Sequence, residues 1–206
     1  MLDRVREAVF STLSPWLEGA QVLDLYAGSG CLSFEALSRG ASLVRLVEED
    51  PKVVVVAERN ARELEMCERT QIVSGDALIP ATWVPGLATK SLVDSEQNKH
   101  APRAVRPGWD IVFCDPPYPL LRAPATKLEV LGTVRALLEK SLAPEGILVL
   151  HAPSRAVDEP DLDWPGVSVG RRTYGTNAIW YLQREDATNG EESEGADTSE
   201  EEGQSI

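Results

Sequence analysis

Apolar residues occur along the chain in two patterns that predict different elements. Residues 3–17 space their apolar side chains along one face of a helix, and we predict a helix that closes near Pro15. Short uninterrupted runs rich in Val, Ile and Leu are typical of buried strands. Five strands are predicted in this way, at 21–26, 43–47, 70–73, 110–114 and 147–151. Further helices are predicted between them, at 31–38, 51–66 and 125–142.

Two more strands, at 166–174 and 177–182, are separated only by a short turn around Gly175. That closeness requires a hairpin, and so an antiparallel pair. Alternating strands and helices followed by a hairpin predict an α/β fold with a mostly parallel seven-stranded sheet and helices on both faces. We therefore predict a single Rossmann-like domain at 1–184 that ends in a C-terminal antiparallel hairpin.

Composition changes this picture only at one end and in one internal segment. At 206 residues with 43% hydrophobic content, the chain has material for one core. Nine of the 33 acidic residues fall in 185–206, which has no Lys or Arg, so the rest of the chain holds 24 acidic against 20 basic residues. We predict 185–206 as an acidic disordered tail. The polar segment 85–107 lacks periodicity and is predicted as a long loop insertion.

The sequence gives little support for a membrane-spanning helix, for disulfide bonds or for a metal site. No run approaches the roughly 18 apolar residues that a membrane-spanning helix needs, and we expect a soluble, cytoplasmic monomer. The three cysteines form no C-x-x-C pair and the chain has two histidines, so we expect neither a disulfide framework nor a metal site. His151 ends the fifth predicted strand, where we expect a partly exposed polar residue without a catalytic role.

The segment Asp115-Pro116-Pro117-Tyr118 directly follows the fourth predicted strand. Two prolines stop a strand abruptly, and a proline holds the preceding residue in an extended conformation. The Asp115 carboxylate and the Pro116 carbonyl should therefore point in fixed directions, as acceptors for the two N–H donors of an exocyclic amine on a base. Tyr118 supplies a flat ring for stacking. The alternative is a plain turn after a strand.

Polar or glycine-rich positions also follow the first three strands. The turn containing Gly28 and Gly30 follows the first strand, Glu48 the second and Asp76 the third. In open α/β sheets ligands bind outside the carboxyl ends of the strands. In nucleotide-binding βαβ units, an acidic residue at the end of the second strand accepts hydrogen bonds from the ribose hydroxyls. These positions predict a nucleoside-containing cofactor.

The charge at the end of the first strand narrows the cofactor class. A carboxylate at Asp24 favours a cationic amine and would repel a pyrophosphate. The glycine pattern Gly28-x-Gly30-x-x-Ser33 also lacks the third glycine of the dinucleotide fingerprint. An NAD-dependent oxidoreductase is thus a weaker alternative.

Taken together, these motifs resemble the RsmD family of S-adenosylmethionine-dependent enzymes, which methylate N2 of a guanine in small-subunit (16S) ribosomal RNA. The segments that carry the resemblance are 3–10, 23–30, 35–41, 47–48, Asn60, 115–118 and 174–181. The resemblance implies a class I methyltransferase domain, S-adenosylmethionine as cofactor, and ribosomal RNA or the small ribosomal subunit as partner.

The resemblance also implies roles for particular residues. Asp115, Pro116, Pro117 and Tyr118 would hold the flipped guanine, and Arg6 and Glu7 would brace the cofactor pocket. The residues implied to contact the cofactor are Asp24, Gly28 and Gly30 at its methionine end, Glu48 at the ribose, Asp76 with Ala77 at the adenine, and in addition Tyr26. An adenine-N6 methyltransferase and a non-catalytic relative that binds RNA or protein remain alternatives.

Overall fold

The computed structural model describes residues 3–84 and 107–185. Parts of the predicted loop insertion (85–106) and tail (186–206) lie outside the described residues. The described strands are β1 (Gln21–Leu25), β2 (Leu43–Glu48), β3 (Thr70–Ser74), β4 (Trp109–Cys114), β5 (Leu142–Pro153), β6 (Val167–Tyr174) and β7 (Asn177–Arg184). The helices are α1 (Asp3–Leu17), α2 (Cys31–Ser38), α3 (Pro51–Glu63), α4 (Tyr118–Arg122), α5 (Pro124–Lys140) and α6 (Glu159–Leu162).

The strands form one seven-stranded sheet in the order β3-β2-β1-β4-β5-β7-β6. Strands β1 to β5 run parallel, whereas β7 is antiparallel to both β5 and β6. The predicted α/β architecture and its closing hairpin are confirmed. The chain order reverses between β1 and β4, which makes the carboxyl ends of these two strands the expected ligand position.

Two hydrophobic cores lie on opposite faces of the sheet, as predicted for helices on both faces. One core takes Phe10 of α1 and buried residues of α2 and α3, and the other takes Val134 of α5 with Trp109 and Trp180. Neighbouring residues of β1 divide between the two cores because successive side chains of a strand point to opposite faces. Val22 belongs to the first core and Leu23 to the second.

Several element boundaries differ from the predicted ones. Helix α1 continues through Pro15 to Leu17. Strand β5 begins at Leu142 instead of residue 147, because Leu142 pairs with Trp109 across a register shift. The short helix α4 was not predicted, since its proline-rich start is typical of a turn. Within the described residues, no helix is long and apolar enough to span a membrane, and no cluster of three or more potential metal ligands occurs.

Candidate active site

The site is built where β1 and β4 end side by side. Leu25 pairs with Cys114 at the last position of both strands, and the Asp115 N–H donates to the Leu25 carbonyl at 3.4 Å. Tyr26 and Asp115 therefore leave the sheet next to each other. Tyr26 has a left-handed backbone with φ 61°, which turns the chain sharply out of β1 and into the glycine turn.

The two glycines of that turn have different surroundings. A Cβ on Gly30 would lie 2.4 Å from a ring carbon of Phe34 and 2.8 Å from Leu46, so this glycine permits close packing of α2 against the sheet. A Cβ on Gly28 would meet nothing within 4 Å. Gly28 is therefore the glycine that leaves open space for a ligand, while the predicted cofactor contact of Gly30 stays a prediction.

Glu48, at the end of β2, is held by two backbone donors. Its Oε2 accepts from the Gly28 N–H and its Oε1 from the Asp50 N–H, both at 2.9 Å. These bonds fix the carboxylate plane and join the β2 end to the glycine turn. Each carboxylate oxygen can accept a further hydrogen bond, so Glu48 remains able to bind a hydroxyl pair.

Asp24 is a buried carboxyl on the β1 face that meets α2. Its Oδ2 accepts from the Ser33 hydroxyl at 2.7 Å, whereas its Oδ1 has no hydrogen-bond partner among the described residues. Burial raises the pKa of Asp24 to about 7, and the nearby carboxylates of Asp115 and Glu48 add to the rise. A buried acceptor without a partner is costly, so this oxygen is suited to a ligand donor.

At the end of β3 the chain makes a tight turn beside Glu48. Gly75 donates its N–H to the Glu48 carbonyl at 3.0 Å, and Asp76 Oδ1 accepts from the Leu78 N–H at 2.8 Å. Gly75 and Ala77 line a cavity with Glu48, and Asp76 lies between them in the chain. The structure thus brings Glu48 and Ala77 into one cavity, whereas Asp76 is not among its lining residues, and the predicted contact of Asp76 with adenine stays a prediction.

The Asp115-Pro116-Pro117-Tyr118 segment forms the opposite wall of the same cavity. Asp115 is mostly buried, while Tyr118 is 38% exposed and begins α4. The Tyr118 hydroxyl donates to Asn177 Oδ1 at 2.6 Å, which fixes the ring from its far end. Tyr118 lines the cavity with its ring held in place and partly exposed, and its predicted stacking on a base stays a prediction.

The sequence prediction that His151 is partly exposed was wrong, because the residue is only 4% exposed. Its Nδ1 lies 2.6 Å from Asp115 Oδ1 and its Nε2 lies 3.2 Å from Asn177 Oδ1. Burial raises the pKa of Asp115, whereas the hydrogen bond and charge of His151 are among the causes that lower it, and the net pKa lies below its ordinary value. Asp115 is therefore an ionised acceptor.

The sequence pattern did not identify Asn177 as a site residue and gave His151 no role in the site, because the contacts of both residues depend on strand order. Cys114 pairs with Leu150 across β4 and β5, which sets His151 beside Asp115. Asn177 is the first residue of β7. This strand pairs antiparallel with β5, and the pairing sets Asn177 opposite Pro153. A prediction that ordered β4, β5 and β7 in the sheet would have brought these side chains together.

Two adjoining cavities occupy this rim. The first, of about 250 Å³, is called the adenosine-side cavity because the adenosine is predicted there; it is lined by Glu48, Gly75, Ala77, Tyr118 and His151 among others. The glycine-turn cavity, of about 270 Å³, is lined by residues that include Arg6, Asp24, Gly28 and Cys31. Tyr26 and Asp115 line both. Arg6 lines the glycine-turn cavity, and its predicted role in bracing the cofactor stays a prediction, whereas Glu7 is exposed and lines neither cavity.

Solved structures with the same fold define the class of this protein. The Escherichia coli protein yhhF is 27% identical with a TM-score of 0.64, covering 89% of this chain and 85% of its own. A conserved protein of Streptococcus pyogenes is 25% identical with a TM-score of 0.65, covering 87% and 95%. With the strand order and the site at the β1–β4 switch point, the fold is that of the Rossmann-like α/β methyltransferases.

The chain belongs to the RsmD family, since residues 1–183 match the family model described as conserved hypothetical protein 95. YlbH of Bacillus subtilis is 29% identical over 177 residues, or 86% of this chain and 83% of its own. Ribosomal RNA small subunit methyltransferase D of Haemophilus influenzae is 32% identical over 117 residues, or 56% of this chain and 51% of its own. The match thus spans about half the length of the Haemophilus protein.

Family and fold imply S-adenosylmethionine as the cofactor, and the residues present fit it. The cofactor carries a cationic amine, a carboxylate, a ribose and an adenine. The glycine-turn cavity offers the unpartnered Asp24 Oδ1 for the amine and the Arg6 side chain for the carboxylate. Glu48 and Ala77 stand in the neighbouring cavity for the nucleoside. Tyr26 lines both cavities, and its buried hydroxyl also has no hydrogen-bond partner among the described residues.

Proposed function

We propose that this protein transfers a methyl group from S-adenosylmethionine to the exocyclic N2 amine of a guanine in small-subunit ribosomal RNA. The observation that carries the proposal is the Asp115 carboxylate, held by His151 at the junction of the two cavities. The relatives named ribosomal RNA small subunit methyltransferase D, from Haemophilus influenzae and Escherichia coli, support this substrate.

The cofactor would lie across both cavities. Asp24 and Arg6 would hold its amino acid end, Gly28 would allow its close approach, and Glu48 would accept from the ribose hydroxyls. Ala77 and Asp76 would border the adenine. When bound there, S-adenosylmethionine supplies a methyl group on a positively charged sulfur, which is already electrophilic.

The protein's own contribution is to orient the accepting amine. Asp115 and the Pro116 carbonyl would accept its two N–H bonds, and Tyr118 would stack on the base. As the nitrogen gains a methyl group it becomes positive, and the ionised Asp115 stabilises that charge. The bond between the methyl group and the cofactor sulfur would break as the new N–C bond forms, which would leave S-adenosylhomocysteine. One amine proton would then pass to the Asp115 carboxylate, so the amine would return to neutral.

The ionised state of Asp115 favours guanine over adenine. Guanine presents N1–H and N2–H donors side by side, and one carboxylate accepts both. Adenine presents the acceptor N1 beside its amine, which an ionised carboxylate repels. The ionised Asp115 carboxylate at the junction of the two cavities therefore supports a guanine substrate.

An adenine-N6 methyltransferase is the second candidate, because two relatives carry that name. The tRNA1(Val) (adenine(37)-N6)-methyltransferases of Shewanella pealeana and Shewanella sediminis are 24% and 26% identical to this chain. The product nucleoside separates the two candidates, since the methylated atom differs.

The proposal is tested by transfer of labelled methyl groups to hypomethylated small ribosomal subunits and to naked ribosomal RNA. Asp115→Ala should lower the rate at least about a hundredfold, as loss of a transition-state hydrogen bond does, while cofactor affinity stays within a few-fold. Arg59→Ala, on the exposed side of α3, is the matched control and should retain full activity. Near-normal turnover by Asp115→Ala would overturn the assigned site.

A further inference from the structure

A third concave surface opens beside the wall that residues 115–118 form, here called the base-binding wall because the proposed function assigns the base to it. This cationic groove, of about 860 Å³, is formed by three segments: the α4–α5 region, the loop after β5 and the β6–β7 turn. Its charged lining residues are Arg122, Lys127 and Arg155, and no described Asp or Glu lines it. By contrast, Glu48, Glu49 and Asp115 line the adenosine-side cavity. The two neighbouring surfaces thus differ in the sign of their charge.

The floor of the groove is held by hydrogen bonds between its segments. The Ser154 N–H donates to the Thr176 carbonyl at 2.8 Å, and the Arg171 guanidinium donates to the Ser154 carbonyl at 2.9 Å. The Tyr118–Asn177 bond joins α4 to β7 at the boundary with the adenosine-side cavity. The groove is therefore a built feature continuous with the base-binding wall.

The arginines of the groove differ from most arginines on the helices. Arg59 and Arg135 each pair with a Glu one turn away on the same helix, and Arg39, directly after α2, pairs with Glu35 of that helix. Arg122 and Arg155 are exposed and form no hydrogen bond or ion pair with any described residue. Lys127 is already neutralised by Asp161 at 2.6 Å. The groove thus keeps two available guanidinium groups in a chain of net charge −13.

We propose that the cationic groove binds the phosphodiester backbone of the RNA next to the nucleotide that is methylated. This inference rests on the proposed function. Tyr118 and Arg122 stand one turn apart on α4, about 6 Å along its axis, so a base stacked on Tyr118 brings its neighbouring phosphates to Arg122. A guanidinium suits this task because its planar N–H groups match phosphate oxygens. Arg155 receives the strand on the other side of the groove.

The experiment compares wild type with Arg122→Ala/Arg155→Ala, using small-subunit ribosomal RNA transcribed in vitro as the probe. RNA affinity is measured over a range of salt concentrations. The double variant should bind more weakly, and its plot of log affinity against log salt should be shallower by about 0.7 for each phosphate that the variant no longer binds. Its KM for RNA should rise while kcat at saturating RNA and the affinity for S-adenosylhomocysteine stay unchanged.

Arg59→Ala/Arg62→Ala on α3 removes the same charge away from the groove and should leave the salt slope unchanged. If wild type methylates this RNA and the groove variant matches it in affinity and slope, the groove inference fails while the proposed function stands. If the variant is normal on naked RNA and weak only on assembled subunits, the groove contacts a ribosomal protein and the RNA assignment is wrong. If wild type neither binds nor methylates RNA, both fail.

Discussion

Cofactor binding should depend on pH through Asp24. This carboxyl is fully buried, and burial raises its pKa to about 7. A cationic amine binds the ionised form of Asp24, not the protonated form. The perturbations are therefore a change of pH across that pKa and the substitution Asp24→Asn, which removes the titrating group while keeping its shape.

The size of the effect follows from the fraction of Asp24 that is ionised. With a pKa of about 7, the ionised fraction is about one tenth at pH 6 and about three quarters at pH 7.5, so the apparent Kd should fall about eightfold. Binding in this range releases a proton, because the ligand stabilises the ionised form. The same raised pKa predicts that the contribution of Asp24 to the folding stability of the free protein falls as pH rises from about 4 through 7, since Asp24 ionises first in the unfolded chain.

The assay is calorimetric titration with S-adenosylhomocysteine, which keeps the amino acid end and cannot react. The pH range stays below that in which an α-amine loses its own proton. Wild type should show the eightfold change, Asp24→Asn should bind more weakly and without pH dependence, and Glu48→Gln should bind more weakly but keep the dependence. A pH-independent Kd in wild type, or an unchanged dependence in Asp24→Asn, would refute the assigned contact.

Two further substitutions test the site and its scaffold. His151→Ala removes the hydrogen bond and charge that lower the pKa of the buried Asp115, so that pKa should rise. The acid limb of the kcat–pH profile should then move to higher pH. An unmoved limb would show that the pair is not catalytic. Gly30→Ala forces a side chain onto a left-handed backbone and 2.4 Å from Phe34, and should lower the free energy of unfolding by about 2–4 kcal/mol in urea titrations. Gly28→Ala, in open space, should cost only about 1 kcal/mol; equal losses for both glycines would contradict the packing role.

The sequence was sufficient for features that depend on local pattern. Apolar runs located the five parallel strands, because buried parallel strands are apolar on both faces. The strand ends then placed Glu48 and Asp115 on one rim through the general rule for α/β sheets. Charge and spacing also distinguished a nucleoside with a cationic amine from a dinucleotide.

Features set by long-range pairing were not predictable in this way. His151 is a strand-end histidine in the sequence, and only the β4–β5 neighbourhood turns it into the partner of Asp115. Asn177 lies 26 residues further along and reaches the site through an antiparallel strand. Likewise, Leu142 joins β5 only because Trp109 pairs with it.

The most direct test of the central claim is the identity of the methylated nucleoside. Small ribosomal subunits are incubated with the wild-type protein and labelled S-adenosylmethionine. The RNA is then digested to nucleosides, and any labelled product is identified by mass spectrometry. We predict N2-methylguanosine, absent when Asp115→Ala replaces wild type. N6-methyladenosine as the labelled product would contradict the guanine assignment and the role given to the ionised Asp115.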